Sequence, residues 1–190
     1  MDNHRFGTRA AVLVLLALFA GAQAFSEGAG GMLYGTSRRD WNPNFMPSSP
    51  LACDIGYFGG YGYGVDHEGT ITGGFGLALS NFGSGSPSIQ GGLGGLIVGQ
   101  RVIGLRLVHL DADLRFGAGG LSYNNSKGYF VAYAEPYLEL GIGLTPWLHL
   151  SATAGYQFIG NLMGGKVFES FTYWSPTFGM TIGFGSFSRR

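Results

Sequence analysis

Charge is scarce in this 190-residue chain: Asp, Glu, Lys and Arg make up 12% of it, 11 basic residues balancing 11 acidic ones. A net charge of zero offers no basic face to nucleic acid and no polybasic patch to a lipid headgroup. Cys53 is the single cysteine, so no intramolecular disulfide can form. Beyond the N-terminal run, no stretch approaches the roughly twenty apolar residues that a spanning helix requires, which argues against a helical membrane protein. No His/Cys set has zinc spacing, no Ca²⁺-loop pattern occurs, and neither a Walker sequence nor a complete GxGxxG is present. No metal or cofactor is expected.

Glycine is abundant instead, at 36 residues, beside 15% aromatics and a mean hydropathy of +0.17. The aromatics and positive hydropathy argue against a disordered chain. Arg5 and Arg9 precede an apolar run from Ala10 to Ala20, followed by Gly21-Ala22-Gln23-Ala24. This predicts a secretory signal peptide over residues 1–24 and leaves 25–190 as one domain. Leu51-Ala52-Cys53 has the look of a lipoprotein acylation site, but Pro50 and a polar loop precede it in place of an apolar run.

The most informative stretch runs from Tyr129 to Phe158. Phe130, Ala132, Ala134, Leu138, Leu140, Ile142 and Leu144 alternate with Tyr133, Glu135, Tyr137, Glu139, Gly141 and Gly143. After Thr145-Pro146 the alternation resumes, with Leu148, Leu150, Ala152, Ala154, Tyr156 and Phe158 opposite His149, Ser151, Thr153, Gly155 and Gln157. A period of two on both sides of a tight turn predicts a hairpin whose strands exceed the usual five or six residues. Strands tilted across a bilayer need about nine to eleven.

Similar segments occur along the rest of the chain. Residues 30–36 form a short first strand. Ile55, Tyr57, Tyr61, Tyr63 and Val65 alternate with Asp54, Gly56, Gly60, Gly62 and Gly64, and Ile71, Phe75, Leu77 and Leu79 alternate with Thr70, Thr72, Gly74, Gly76 and Ala78. The parity of residues 90–102 breaks near Leu96-Ile97-Val98, which predicts a bulge there. Val108, Leu110, Ala112, Leu114 and Phe116 oppose His109, Asp111, Asp113 and Arg115, and the last strand carries Phe178, Met180, Ile182 and Phe184. Long polar loops are expected over 37–50, 81–89, 119–128 and 161–175, with tight turns near 66–69, 103–104 and 145–146. The expected fold is all-β, an eight-stranded antiparallel up-and-down transmembrane β-barrel, with long outer loops and both termini in the periplasm.

That fold assigns the two faces. Val108, Leu110, Leu114, Phe116, Leu138, Leu140, Ile142, Leu148, Leu150, Tyr156, Phe158, Phe178, Met180, Ile182 and Phe184 are expected to face outer-membrane lipid. His109, Asp111, Asp113, Arg115, Glu135, Glu139 and His149 are expected to form a charge-paired lumen network, joined by Arg101 or Arg106, because isolated buried charge is costly. Structural pairing is the preferred reading over a proton or ion path. Tyr57, Tyr61, Tyr63, Tyr156, Trp147 and Trp174 read as interfacial girdle or lipid-facing residues. Trp41, Trp174, Phe168 and Phe171 fall in expected outer loops, where exposed aromatics mark contacts with a surface partner.

Two other functions have a basis in the residues. A soluble lipocalin-like barrel binding a small apolar ligand shares the period but inverts the faces. A membrane-embedded lipid acyl hydrolase would use His149-x-Ser151, yet the alternation turns both residues away from lipid. Asp111 with Asp113, or Glu135 with Glu139, share a face as any polar lumen would arrange them.

The GGFG at Gly73–Gly76, the GGLGG at Gly91–Gly95, the FGAGG at Phe116–Gly120, and the Glu135-Pro136 strand leading through Thr145-Pro146-Trp147 to Gly155-Tyr156 resemble motifs of a loose group of uncharacterised, glycine-rich bacterial outer-membrane β-barrel proteins. More generally the chain resembles small OmpA-like and OmpX-like barrels. An eight-stranded barrel is just wide enough for side chains to fill it, so a packed, non-porin lumen is expected, and with His149 and Ser151 turned inward no enzymatic activity is expected; the resemblance implies insertion by the barrel-insertion machinery. Such barrels usually end on an aromatic residue; here Phe187 is followed by Ser188-Arg189-Arg190.

Overall fold

The computed structural model describes residues 27–37, 55–81, 89–105, 107–123, 127–162 and 172–186. The expected signal peptide, Trp41, Cys53, Arg106, Phe168, Phe171 and the Ser188-Arg190 end lie outside the described residues. The strands are β1 (Glu27–Ser37), β2 (Ile55–Val65), β3 (Thr70–Asn81), β4 (Ile89–Gly104), β5 (Val108–Tyr123), β6 (Lys127–Thr145), β7 (Leu148–Asn161) and β8 (Thr172–Ser186). Each pairs antiparallel with its sequence neighbours, and β1 pairs with β8 to close the barrel. The first strand is therefore longer than 30–36 and bonded on both sides. Closure satisfies the backbone groups that an open sheet would leave at its edges.

At one end of the barrel, the turn end, the connections are short. Asp66 shapes the first turn: its carboxylate accepts hydrogen bonds from the N–H groups of Glu68 (2.9 Å) and Thr70 (2.8 Å). Gly69 turns the chain there with φ of 86°, a conformation that favours glycine. The opposite end, the loop end, carries the connections over 38–54, 82–88, 124–126 and 163–171. The long polar loop expected over 119–128 is mostly strand, because Leu121 faces inward, buried, and β5 pairs with β6 as far as Tyr123↔Lys127.

Three further expectations need correction. The β4–β5 register runs unbroken through Leu96-Ile97-Val98, and the irregularity falls between Arg101 and Ile103. The apolar triplet keeps its parity because Ile97 packs inside while Leu96 and Val98 point outward. Trp174 belongs to β8, where its ring meets that of Phe158 edge-on at 4.6 Å. Tyr57, Tyr61 and Tyr63 point inward and form no girdle; Tyr57 and Tyr61 are buried. Opposite them stand Gly56, Gly60, Gly62 and Gly64 with the outward Phe58, 55% exposed; both faces are uncharged, so the alternation alone did not orient this strand.

The lumen is filled from two sides. β1–β4 contribute Leu33, Ile55, Tyr57, Tyr61, Ile71, Phe75, Leu77, Leu79, Leu93 and Ile97, while β5–β8 contribute most of the polar groups. At the loop end Ile55, Ile89, Leu121, Val131 and Ile159 are almost wholly buried and pack into an apolar plug. Pro136 interrupts the wall: β6 and β7 pair at Ala134↔Phe158 and again at Tyr137↔Gly155 but not between, since proline has no N–H to give the ladder.

Candidate functional site in the barrel lumen

Period-two alternation on β5, β6 and β7 turns His109, Asp111, Asp113, Arg115, Glu135, Glu139 and His149 inward, and all seven are buried. Their pairing is uneven. Midway along the lumen, Arg115 Nη1 donates to Glu135 Oε2 at 3.1 Å, with both side chains at most 3% exposed. Glu135 also accepts hydrogen bonds from the hydroxyls of Tyr133, of Thr177 (2.6 Å) and of Tyr57 (3.5 Å). The Arg115 guanidinium lies 3.9 Å from the centre of the Tyr137 ring, a cation–π contact.

Toward the turn end, Arg101 forms a second centre. Its Nε and Nη2 hold the two Asp111 oxygens at 3.0 and 3.3 Å, and its Nη1 reaches Glu27 Oε2 at 2.6 Å across the barrel. The His109 and His149 rings meet edge-on with centroids 5.7 Å apart, and the Tyr61 hydroxyl lies 3.4 Å from His149 Nε2. Inward glycines make room for these rings. A Cβ on Gly141 would sit 2.1 Å from the His109 ring, and one on Gly183 would sit 2.0 Å from the His149 ring.

The expected charge-paired plug is thus only partly paired. Asp113 and Glu139, 9% and 3% exposed, have no ion-pair partner among the described residues. Asp113 Oδ1 and Glu139 Oε1 also lack a hydrogen-bond partner. Sequence reasoning missed Glu27, Tyr57, Tyr133 and Thr177 as network members. The Arg101–Glu27 contact joins residues 74 apart in sequence, and only closure of the barrel brings them together.

Ser151 lies inward beside His149 in sequence and is 4% exposed. No three His, Cys, Asp or Glu side chains among the described residues converge as a metal site would require.

The outer face is apolar. Leu114, Phe116, Leu138, Leu140, Ile142, Leu150, Phe178, Met180, Ile182 and Phe184 are exposed there, and Val108, Leu110, Leu148, Tyr156 and Phe158 share that face partly covered. Trp147 stacks on Phe184 at the turn end, with ring centroids 6.2 Å apart. No known family model and no curated protein matches this chain.

Proposed function

We propose that the protein is an outer-membrane β-barrel with a packed, non-porin lumen and a structural or surface-interaction role. It is exported by the segment 1–24 and inserted by the barrel-insertion machinery. The apolar outer belt carries this reading. On β8 it runs from Trp174 to Phe184, about 33 Å of strand at ~3.3 Å per residue. At a tilt of about 40° that is roughly 25 Å of height, the apolar band of an outer-membrane barrel. Aromatic residues mark both limits, Trp147 with Phe184 at the turn end and Trp174 with Phe158 toward the loop end.

A soluble carrier of an apolar ligand would place its charges outside and its apolar groups inside. Here the middle of the lumen holds Arg115, Glu135 and their hydroxyl donors. A membrane acyl hydrolase would need its nucleophile within reach of an acyl chain; Ser151 faces the lumen, and the reading contains no catalytic step. A surface partner would meet the loop end, through segments outside the described residues.

The test is fractionation. The reading expects the protein in the outer-membrane fraction, extracted only with detergent and migrating differently on gels before and after heating. Release in soluble form from the periplasm overturns it.

A further inference from the structure

Two neighbouring connections at the turn end differ in chemistry. Asp66-His67-Glu68-Gly69 is polar, with His67 and Glu68 exposed. The β4–β5 hairpin is apolar instead: Val102, Ile103, Leu105 and Leu107 are 59, 46, 68 and 61% exposed. Turns that stand in water draw on Gly, Pro, Asn, Asp and Ser, and large apolar groups left uncovered together mark a surface that meets something other than water. The two connections stand side by side, because Gln100 Nε2 donates to the Glu68 carbonyl and the Arg101 N–H to that of Gly69, both at 2.8 Å. Just past Arg101 the irregularity leaves Val102 without a partner on β5, which adds a second exposed apolar side chain beside Ile103.

This hairpin is continuous with the outer belt. Ile103 pairs with Leu110, a belt residue. The Gly143 N–H donates to the Leu107 carbonyl at 2.8 Å, which sets Leu107 against the end of β6, where Leu144 is exposed. We propose that the hairpin is a lipid anchor: Val102, Ile103, Leu105 and Leu107 insert at the lipid–water boundary of the turn-end leaflet, while the adjoining 66–69 turn stays in water. The inference rests on the outer-membrane reading and gives that barrel a deep side and a shallow one. Continuity with the belt selects lipid over a protein as the occupant, and Trp147, exposed at the same end, belongs to the residue type enriched at membrane boundaries. An apolar and a polar turn side by side cannot both be satisfied by an upright barrel, so the axis leans toward β4–β7, as spanning elements tilt to accommodate unequal apolar height.

The test places a fluorescent probe at Leu105→Cys, Glu68→Cys or Met180→Cys in the full barrel carrying Cys53→Ser. Val102, Ile103 and Leu107 stay unaltered, so the hairpin keeps most of its apolar surface. The folded variants are placed in vesicles whose lipids carry bromine near the headgroup end of the acyl chain, or near its tip. Quenching at position 105 should be several-fold that at position 68 and stronger with bromine near the headgroup, whereas position 180 should be quenched more strongly by bromine near the tip. Quenching at 180 without quenching at 105, or equal quenching at 105 and 68, overturns the anchor and leaves the membrane reading standing. Quenching at none of the three overturns both.

Discussion

Replacing Arg115 with methionine tests the packed lumen at its most buried ion pair. The substitution removes the 3.1 Å contact to Glu135 and the cation–π contact to Tyr137. It leaves a carboxylate that is 1% exposed with hydroxyl donors only. Breaking a buried pair from one side costs about 3–5 kcal/mol. Adding Glu135→Gln removes the stranded charge: the amide oxygen in place of Oε2 still accepts from Tyr133, and the amide NH2 in place of Oε1 can donate to the Thr177 hydroxyl oxygen. The double variant should therefore cost only about 1–2 kcal/mol, a coupling of at least ~2 kcal/mol between the two sites. The assay is urea unfolding of the barrel in lipid vesicles, read by gel mobility for all four members of the cycle. If Arg115→Met costs under about 1 kcal/mol and the cycle is additive, water screens this pair and the packed-lumen account is wrong.

Met180, 64% exposed and near the middle of the apolar belt on β8, should lose about 2–4 kcal/mol on Met180→Arg in a bilayer; vesicle unfolding measures it, and a change within the ~0.5 kcal/mol of an ordinary surface site would contradict a lipid contact. Gly141→Ala should cost roughly 1–3 kcal/mol by forcing the His109 ring off the wall, whereas Gly76→Ala, with nothing within 4 Å of the new methyl, should change stability little; thermal midpoints of the two variants decide this. The backbone N–H of Thr70 holds the Asp66 carboxyl below its usual range, assisted by that of Glu68. A depressed folded-state value means that its contribution is present above the ordinary Asp range and fades as pH falls through the folded value. The gap in stability between the native protein and Asp66→Ala should therefore narrow on acidification; a gap constant from neutral pH to below the Asp range would show that the carboxylate plays no such part.

The sequence made one half of the barrel more legible than the other, for a physical reason. On β5 the alternation sets His109, Asp111, Asp113 and Arg115 against Val108, Leu110, Leu114 and Phe116, so charge itself labels the lumen face. On β2 and β3 most residues alternating with Tyr57, Tyr61, Phe75 and Leu77 are glycines, with Phe58 and Ala78 among them. Period two is visible there, but both faces carry uncharged residues and no charge labels the lumen face. The tyrosines turn inward because an eight-stranded barrel must fill its interior with side chains, and Glu135 supplies an acceptor for the Tyr57 hydroxyl. The pairing pattern was less legible still. Arg101 finds Glu27 only after β1 closes on β8 and β2, and the isolation of Asp113 and Glu139 follows from where both guanidiniums are already engaged.

Neighbouring residues on opposite faces of one strand give the most direct test of the central claim. In a Cys53→Ser background, a fluorescent probe is attached at Met180→Cys or at Thr181→Cys, and the folded protein is placed in vesicles of bromine-labelled lipid. Met180 points outward and Thr181, 2% exposed, points into the lumen. The account predicts strong quenching at position 180 and little at 181. Quenching at neither position, in a protein that stays folded without lipid, would contradict the membrane reading.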